Sequence, residues 1–200
     1  NELIIPKKKA LTPSSRARLP FSIWNKTTAA MTYSVYRKRE IAGPKIYDKN
    51  IFDSMFPFGG NAKSFHVFFG KNGFVEYQIL VPFNKVEEFV NDVTKLIKTE
   101  KPPLIVIFMK PFHGNQKYLR YSGSGITIAL DFQRSPITVK ALLKLDDIII
   151  SYGAIPNIVK GPSKRIVQSC FPEYHKFIDE LKKFDPRRIY KSDISEKLGL

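Results

Sequence analysis

Between Phe74 and Val159 the spacing of apolar residues alternates between a strand period and a helix period, and this alternation limits the fold more than any other feature of the chain. "FVEYQILVP" reads as a strand. Val86, Phe89, Val90, Val93, Leu96 and Ile97 then recur at helical spacing, giving one apolar face to lay on a sheet. Asn84 is the expected N-cap of that helix, with Glu87 completing a capping box. "LIVIFM" reads as a buried strand and "GITIALDF" as another. Ser135 followed by Pro136 opens a second helix, Gly153 closes it, and "AIPNIV" follows as a strand. Strand, helix, strand, strand, helix, strand is the split βαβ pattern, so the expected class is α+β: an antiparallel, ferredoxin-like sheet with helices mainly on one face. "SFHVFF", residues 64–69, would add a strand through a hairpin at Gly70–Gly73, where Asn72-Gly73 is the turn signal.

The flanks are less regular. Residues 1–20 are basic and turn-rich and are expected to lie extended on a surface. Residues 22–36 can form a helix that buries Ile23, Trp24, Met31 and Val35, and residues 40–63 read as a long loop. Beyond Lys160 the pattern is helical, broken near Pro172 and stopped by Asp185-Pro186. Asp193 and Glu196 have capping-box spacing for a last short helix, and so punctuated an ending is expected to be anchored. Two regions follow: a basic N-terminal segment, 1–63, and an α+β domain, 64–200.

A chain of 200 residues with 43% hydrophobic residues can bury a core of useful size. Its longest apolar run, Leu104 to Met109, is far too short to span a bilayer, and no stretch reads as a signal peptide, so a cytoplasmic location is expected. The single cysteine, Cys170, permits no internal disulfide and sits in an apolar context that suits an inert thiol. A net charge of +15 favours anionic partners: nucleic acid, phosphorylated substrates or a membrane surface. A basic nucleic-acid-binding module on a ferredoxin-like sheet is the alternative reading. Against it, the positive residues fall in short clusters such as Lys7-Lys8-Lys9 and Arg37-Lys38-Arg39, and no RNP1-like aromatic pattern occurs.

No G-x-G-x-x-G, Walker A loop or metal-ligand spacing is present, and His66, His113 and His175 lie in separate elements. Three polar residues interrupt apolar strands or end them: Gln78, Lys110 and Lys160. Residues i and i+2 of a strand share a face, so Glu76 and Gln78 point one way, with Phe74 beside them, and Tyr77 points the other. Buried without partners, Glu76 and Gln78 would cost free energy, so that face is either solvated or lines a polar pocket.

The order "GFVEYQILVP", "FMKPFHG", "GITIALDF", "GAIPNIVKGPS" and "FDPRRIYKSDISEKLGL" resembles the C-terminal half of FAD-linked oxidoreductases of the vanillyl-alcohol-oxidase superfamily, from about Leu19 to Leu200. The resemblance implies a substrate (cap) domain, a fragment that binds no FAD and is inactive alone, completed in cis by an N-terminal FAD-binding domain absent from this chain. It implies oxidation of a sugar or polyol hydroxyl, on a polyprenyl-phosphate-linked pentose. It also implies a catalytic role for Lys160, touching flavin and substrate, and substrate-binding roles for Gln78, Lys110, Glu76, Thr127 and Asn157. The sequence departs from the family pattern at Glu76 (glutamine in the family), Thr127 (asparagine), Ala129 (cysteine) and Asn157 (tyrosine). The expected partners are a phosphorylated sugar-lipid and an anionic membrane surface, with peripheral attachment to the inner membrane and no nucleic acid.

Overall fold

The structure, a computed structural model, describes residues 21–43, 69–70 and 72–200. The chain divides into two compact units, Asn1–Gly73 and Phe74–Leu200.

In the first unit, helix α1 spans Lys26–Ile41. Asn25 starts it, its Oδ1 accepting the N–H groups of Thr27 at 2.9 Å and Thr28 at 3.1 Å. Trp24 stacks edge-on against Tyr33 and Phe69, with ring centroids 6.5 and 5.7 Å away. The expected burial of Met31 and Val35 is wrong: both are mostly exposed. Among the described side chains of the helix, Thr28, Ala29 and Thr32 are the half-buried positions, on a side turned away from Met31 and Val35. The basic segment 1–20 lies outside the described residues, as do the loop beyond Gly43 and the strand expected over 64–69 except for Phe69, which is helical.

The second unit is α+β. Strands β1 (Phe74–Pro82), β2 (Leu104–Phe112), β3 (Gly125–Gln133) and β4 (Ile155–Pro156) form an antiparallel sheet in the order β2-β3-β1-β4. Helices α2 (Val86–Glu100) and α3 (Pro136–Tyr152) connect strands as the split βαβ pattern requires. Tyr77, Ile79 and Val81 of β1 and Ile128, Leu130 and Phe132 of β3 form one buried cluster with Phe89 and Val93 of α2 and Leu145 and Ile149 of α3. Val86, Val90, Leu96 and Ile97 pack against that cluster, as the helical spacing predicts.

Local signals succeed at α3 and fail at α2. Ser135 Oγ accepts the Thr138 N–H at 3.1 Å, and Gly153 closes α3 at φ 60°. Asn84 does not cap α2. The chain turns at once from Pro82 into a 3-10 turn, Phe83–Lys85, which puts Asn84 inside the turn and leaves Lys85 at the boundary without a side-chain cap.

"LIVIFM" is not a buried strand either. Among the described residues β2 pairs with β3 alone, so it is the edge of the described sheet, and Ile107 to Pro111 are exposed. Pro111 has no N–H to donate and is suited to an edge. The strand expected over "AIPNIV" shrinks to two residues. Asn157 N–H still bonds Gln78 O at 2.8 Å, after which the chain winds into a 3-10 turn, Ile158–Lys160.

Helices α4 (Lys164–Cys170), α5 (Tyr174–Phe184) and α6 (Asp193–Leu198) complete the unit, broken at Pro172 as expected. The buried Asp185 carboxylate accepts the N–H groups of Ile189 and Tyr190, both at 2.8 Å, which shapes the turn after α5. The last capping box is made by Ser192 and Ser195, not by Asp193 and Glu196: Asp193 is already the first helical residue, so the cap falls one position earlier. Leu198 and Leu200 are buried, so the ending is anchored. Among the described residues, no helix is long and apolar enough to cross a membrane.

Candidate functional site

With Tyr77, Ile79 and Val81 committed to the helices, strand alternation sends Glu76 and Gln78 to the other face of the sheet. The register sets Gln78 opposite Ala129 and Glu76 opposite Asp131; across β3, Ala129 faces Phe108 and Thr127 faces Lys110. Glu76, Gln78, Phe108, Met109, Lys110, Thr127 and Ala129 line a cavity of about 280 Å³ on this face. Sequence reasoning left that face as either solvated or a pocket, and it is an open, solvent-accessible cavity with polar lining.

Lys160 and Asn157 reach the cavity through its lining. Lys160 Nζ lies 2.8 Å from Glu76 Oε2. Both side chains are partly exposed, so this ion pair contributes at most about 1 kcal/mol to stability, and its consequence is the placement of the ammonium group. Asn157 Nδ2 donates to Gln78 Oε1 at 2.6 Å, while its Oδ1 accepts the Val159 N–H at 3.2 Å. These bonds occupy the acceptor of Gln78 and leave its amide N–H groups as donors for the cavity. The same residue caps the turn that carries Lys160.

Thr127, fully buried, receives the Tyr121 hydroxyl at 3.2 Å. Burial pushes the Tyr121 hydroxyl up to about 12, the bond to Thr127 opposing and Glu76 adding to the rise. Lys110 is exposed at the rim. Of the six residues that sequence reasoning singled out, Glu76, Gln78, Lys110 and Thr127 line the cavity, and Asn157 and Lys160 are hydrogen-bonded to Gln78 and Glu76.

Asp131 and Tyr121 escaped it. Asp131 is buried, and its Oδ1 has no hydrogen-bond partner among the described residues. Burial pushes its carboxyl up to about 6, with Glu76 adding to the rise and Lys160 opposing it. A signal was available: Asp131 stands two and four residues from Ala129 and Thr127 in an apolar strand, hence on their face. Nothing comparable marks Tyr121, which lies in the connection before β3.

The remaining candidates lie elsewhere. His113 stacks on Phe83 with centroids 5.3 Å apart, His175 is exposed beside Tyr174, and His66 is outside the described residues. Cys170 is buried, and burial, reinforced by Asp146, pushes its thiol up to about 11. Among the described residues no cluster of His, Cys, Asp and Glu could hold a metal ion.

No protein-family model matches the chain. It is 24% identical over 136 residues to the decaprenylphosphoryl-β-D-ribose oxidase of Mycolicibacterium smegmatis, a match covering 66% of this chain and 29% of that oxidase. The chain is thus distantly similar to an oxidase and matches less than a third of its length, a relationship that supports an oxidoreductase-like reading in coarse terms.

Proposed function

We propose that this chain is the substrate-binding domain of an FAD-dependent oxidoreductase that oxidises a sugar or polyol hydroxyl, with a polyprenyl-phosphate-linked pentose as the substrate. The observation that carries the reading is the convergence of Lys160, Glu76, Gln78, Asn157, Thr127 and Lys110 on the face of the sheet opposite α2 and α3, in a chain similar to an oxidase. A hydroxyl-rich ligand needs donors and acceptors at fixed separations, and this face supplies the Gln78 amide, the Thr127 and Tyr121 hydroxyls and the Glu76 carboxylate.

The residues fit a flavin as neighbour. An ammonium group held on a short turn, anchored by Glu76 and with its remaining N–H donors unassigned, suits a ring that becomes electron-rich. When bound, FAD supplies the hydride acceptor, and its main binding domain would be a further part of the enzyme. Lys160 would hold the substrate oxygen and the flavin edge in one place. Gln78, oriented by Asn157, would donate to a sugar oxygen, and Thr127 would fix a neighbouring hydroxyl. Lys110, exposed at the cavity rim, would meet the phosphate. The charge of +15 would favour an anionic membrane surface, where a lipid-linked substrate resides.

The test uses the complete product of the source gene, purified and examined by absorption. The expected result is a flavin spectrum that bleaches on anaerobic addition of a phospho-pentose, and a Lys160→Ala variant that keeps its flavin and fold without bleaching. A colourless protein, or unimpaired bleaching by the variant, would overturn the reading or the role of Lys160 respectively.

A further inference from the structure

Asp131 is more than nine-tenths buried, yet it stands directly opposite Glu76 in the β1–β3 register, and one of its carboxylate oxygens has no hydrogen-bond partner among the described residues. Directly opposed side chains in an antiparallel pair have Cβ atoms about 5 Å apart, so two carboxyl groups share one small region of the sheet. A buried, unpartnered acceptor is costly, and structures keep such groups where chemistry uses them. Glu76 lines the cavity, and Asp131 is its cross-strand neighbour on the same face, just outside the lining.

Resting on the oxidoreductase reading above, we propose that Glu76 and Asp131 form the proton-accepting pair of the reaction: Glu76 takes the proton from the substrate hydroxyl, and Asp131 acts through Glu76 by sharing that proton. The step balances. The O–H bond breaks and its proton passes to the carboxylate pair; the C–H bond on the same carbon breaks, its electron pair leaving to the flavin as hydride; the C–O bond becomes C=O. Lys160, bonded to Glu76, keeps the pair from holding two uncompensated negative charges. The charged and titratable groups around the pair are Lys160 on the turn after β4, Lys110 on β2 and Tyr121 before β3. The elevation of the buried Asp131 carboxyl to about 6, to which the negative charge of Glu76 adds, fits a store that loads near neutral pH.

The experiment measures the rate of flavin bleaching against pH in the complete enzyme and in Asp131→Asn. The wild-type rate should fall below about pH 6, as Asp131 becomes protonated and can no longer take up a proton. In Asp131→Asn the acid limb should move down by about one pH unit and the plateau should drop about tenfold, because the carboxyl that titrates at about 6 and receives the proton from Glu76 is gone. A merely structural residue would lower stability without moving the limb. Independently of turnover, infrared difference spectra of the substrate-reduced against the oxidised wild type should show the C=O stretch of a protonated carboxyl. An unmoved limb in Asp131→Asn, or the absence of that band from the wild type should the variant not fold, would overturn the proposal alone. A wild-type flavin that no sugar bleaches at any pH would overturn the oxidoreductase reading first, and the proposal with it.

Discussion

Asn157 and Gln78 are joined twice, backbone to backbone at 2.8 Å and side chain to side chain at 2.6 Å, and the same asparagine caps the turn that carries Lys160. One residue therefore orients a cavity donor and sets the position of the ammonium group. This coupling exists because β4 ends after Pro156, which places position 157 at the last rung of the β1–β4 ladder and the first position of the turn.

Asn157→Ala should therefore cost more in binding than in folding. Losing the Gln78 partner and the cap removes roughly 1–2 kcal/mol of positioning, about tenfold or more in kcat/KM, because Gln78 becomes free to rotate. The melting temperature should change little, since the residue is only partly buried. Steady-state kinetics beside a thermal melt checks this. A large loss of stability with unchanged kinetics would make Asn157 a packing residue.

Asp131 should make stability depend on pH with an unusual sign. Its carboxyl titrates at about 6 in the folded state and near 4 when unfolded, so between these values the folded state binds more protons. Stability then falls as pH rises from about 4 to 6 and stays lower above. Asp131→Asn should remove this loss, gaining about 1–2 kcal/mol at pH 7, once screening from the open side of the cavity is allowed for, and close to nothing below pH 4. Urea unfolding of both proteins at pH 4 and pH 7 measures the difference. Equal gains at the two pH values would show that packing, not charge, is responsible.

Gly125 opens β3 opposite Pro82, and a Cβ there would fall 2.1 Å from the Val81 carbonyl oxygen. The obstacle is backbone, which cannot swing aside as a side chain would. Gly125→Ala should therefore lose about 2–4 kcal/mol by shifting the end of the β1–β3 ladder, and with it Thr127. Chemical denaturation reads the loss. A change below about 0.5 kcal/mol would mean that the strand ends part easily.

The helix-and-strand order, the core face of α2 and the caps of α3 were legible in the sequence because each depends on neighbours within a few residues. The polar sheet face was legible too, since period-two alternation places Glu76 and Gln78 whatever the partner strand. What could not be read was lateral position. "LIVIFM" looks buried in sequence, but only the strand order makes β2 an edge, and no local pattern in residues 104–109 carries that information. The failure at Asn84 has the same origin at a smaller scale: Pro82 determines where the turn begins, so the residue with the best capping chemistry falls on the wrong position. Asp131 was overlooked through reading "GITIALDF" as uniformly buried instead of asking which of its residues face Gln78.

Beneath the cavity, on the helix side of the sheet, Asp146 ties three elements together. The Tyr77 hydroxyl donates to its Oδ1, and the Ser163 hydroxyl donates to its Oδ2 at 2.7 Å. Tyr77 lies between Glu76 and Gln78 in β1, and Ser163 is three residues beyond Lys160 and caps α4. The network thus fixes the distance from the cavity floor to the segment that presents the lysine. Burial pushes the Tyr77 hydroxyl well above its ordinary range, Asp146 adding to the rise, so it remains a donor at every physiological pH. Tyr77→Phe deletes only that donor and leaves a buried carboxylate oxygen unpaired, at a cost of about 1–3 kcal/mol. Ser163→Ala unpairs the other oxygen and removes the α4 cap, at a similar cost. Because both losses fall on one carboxylate, the double variant should lose measurably less or more than the sum, by at least about 0.5 kcal/mol. A double-mutant cycle in urea tests this coupling, and strict additivity would show that Asp146 serves the two elements separately and does not link the lysine segment to the sheet.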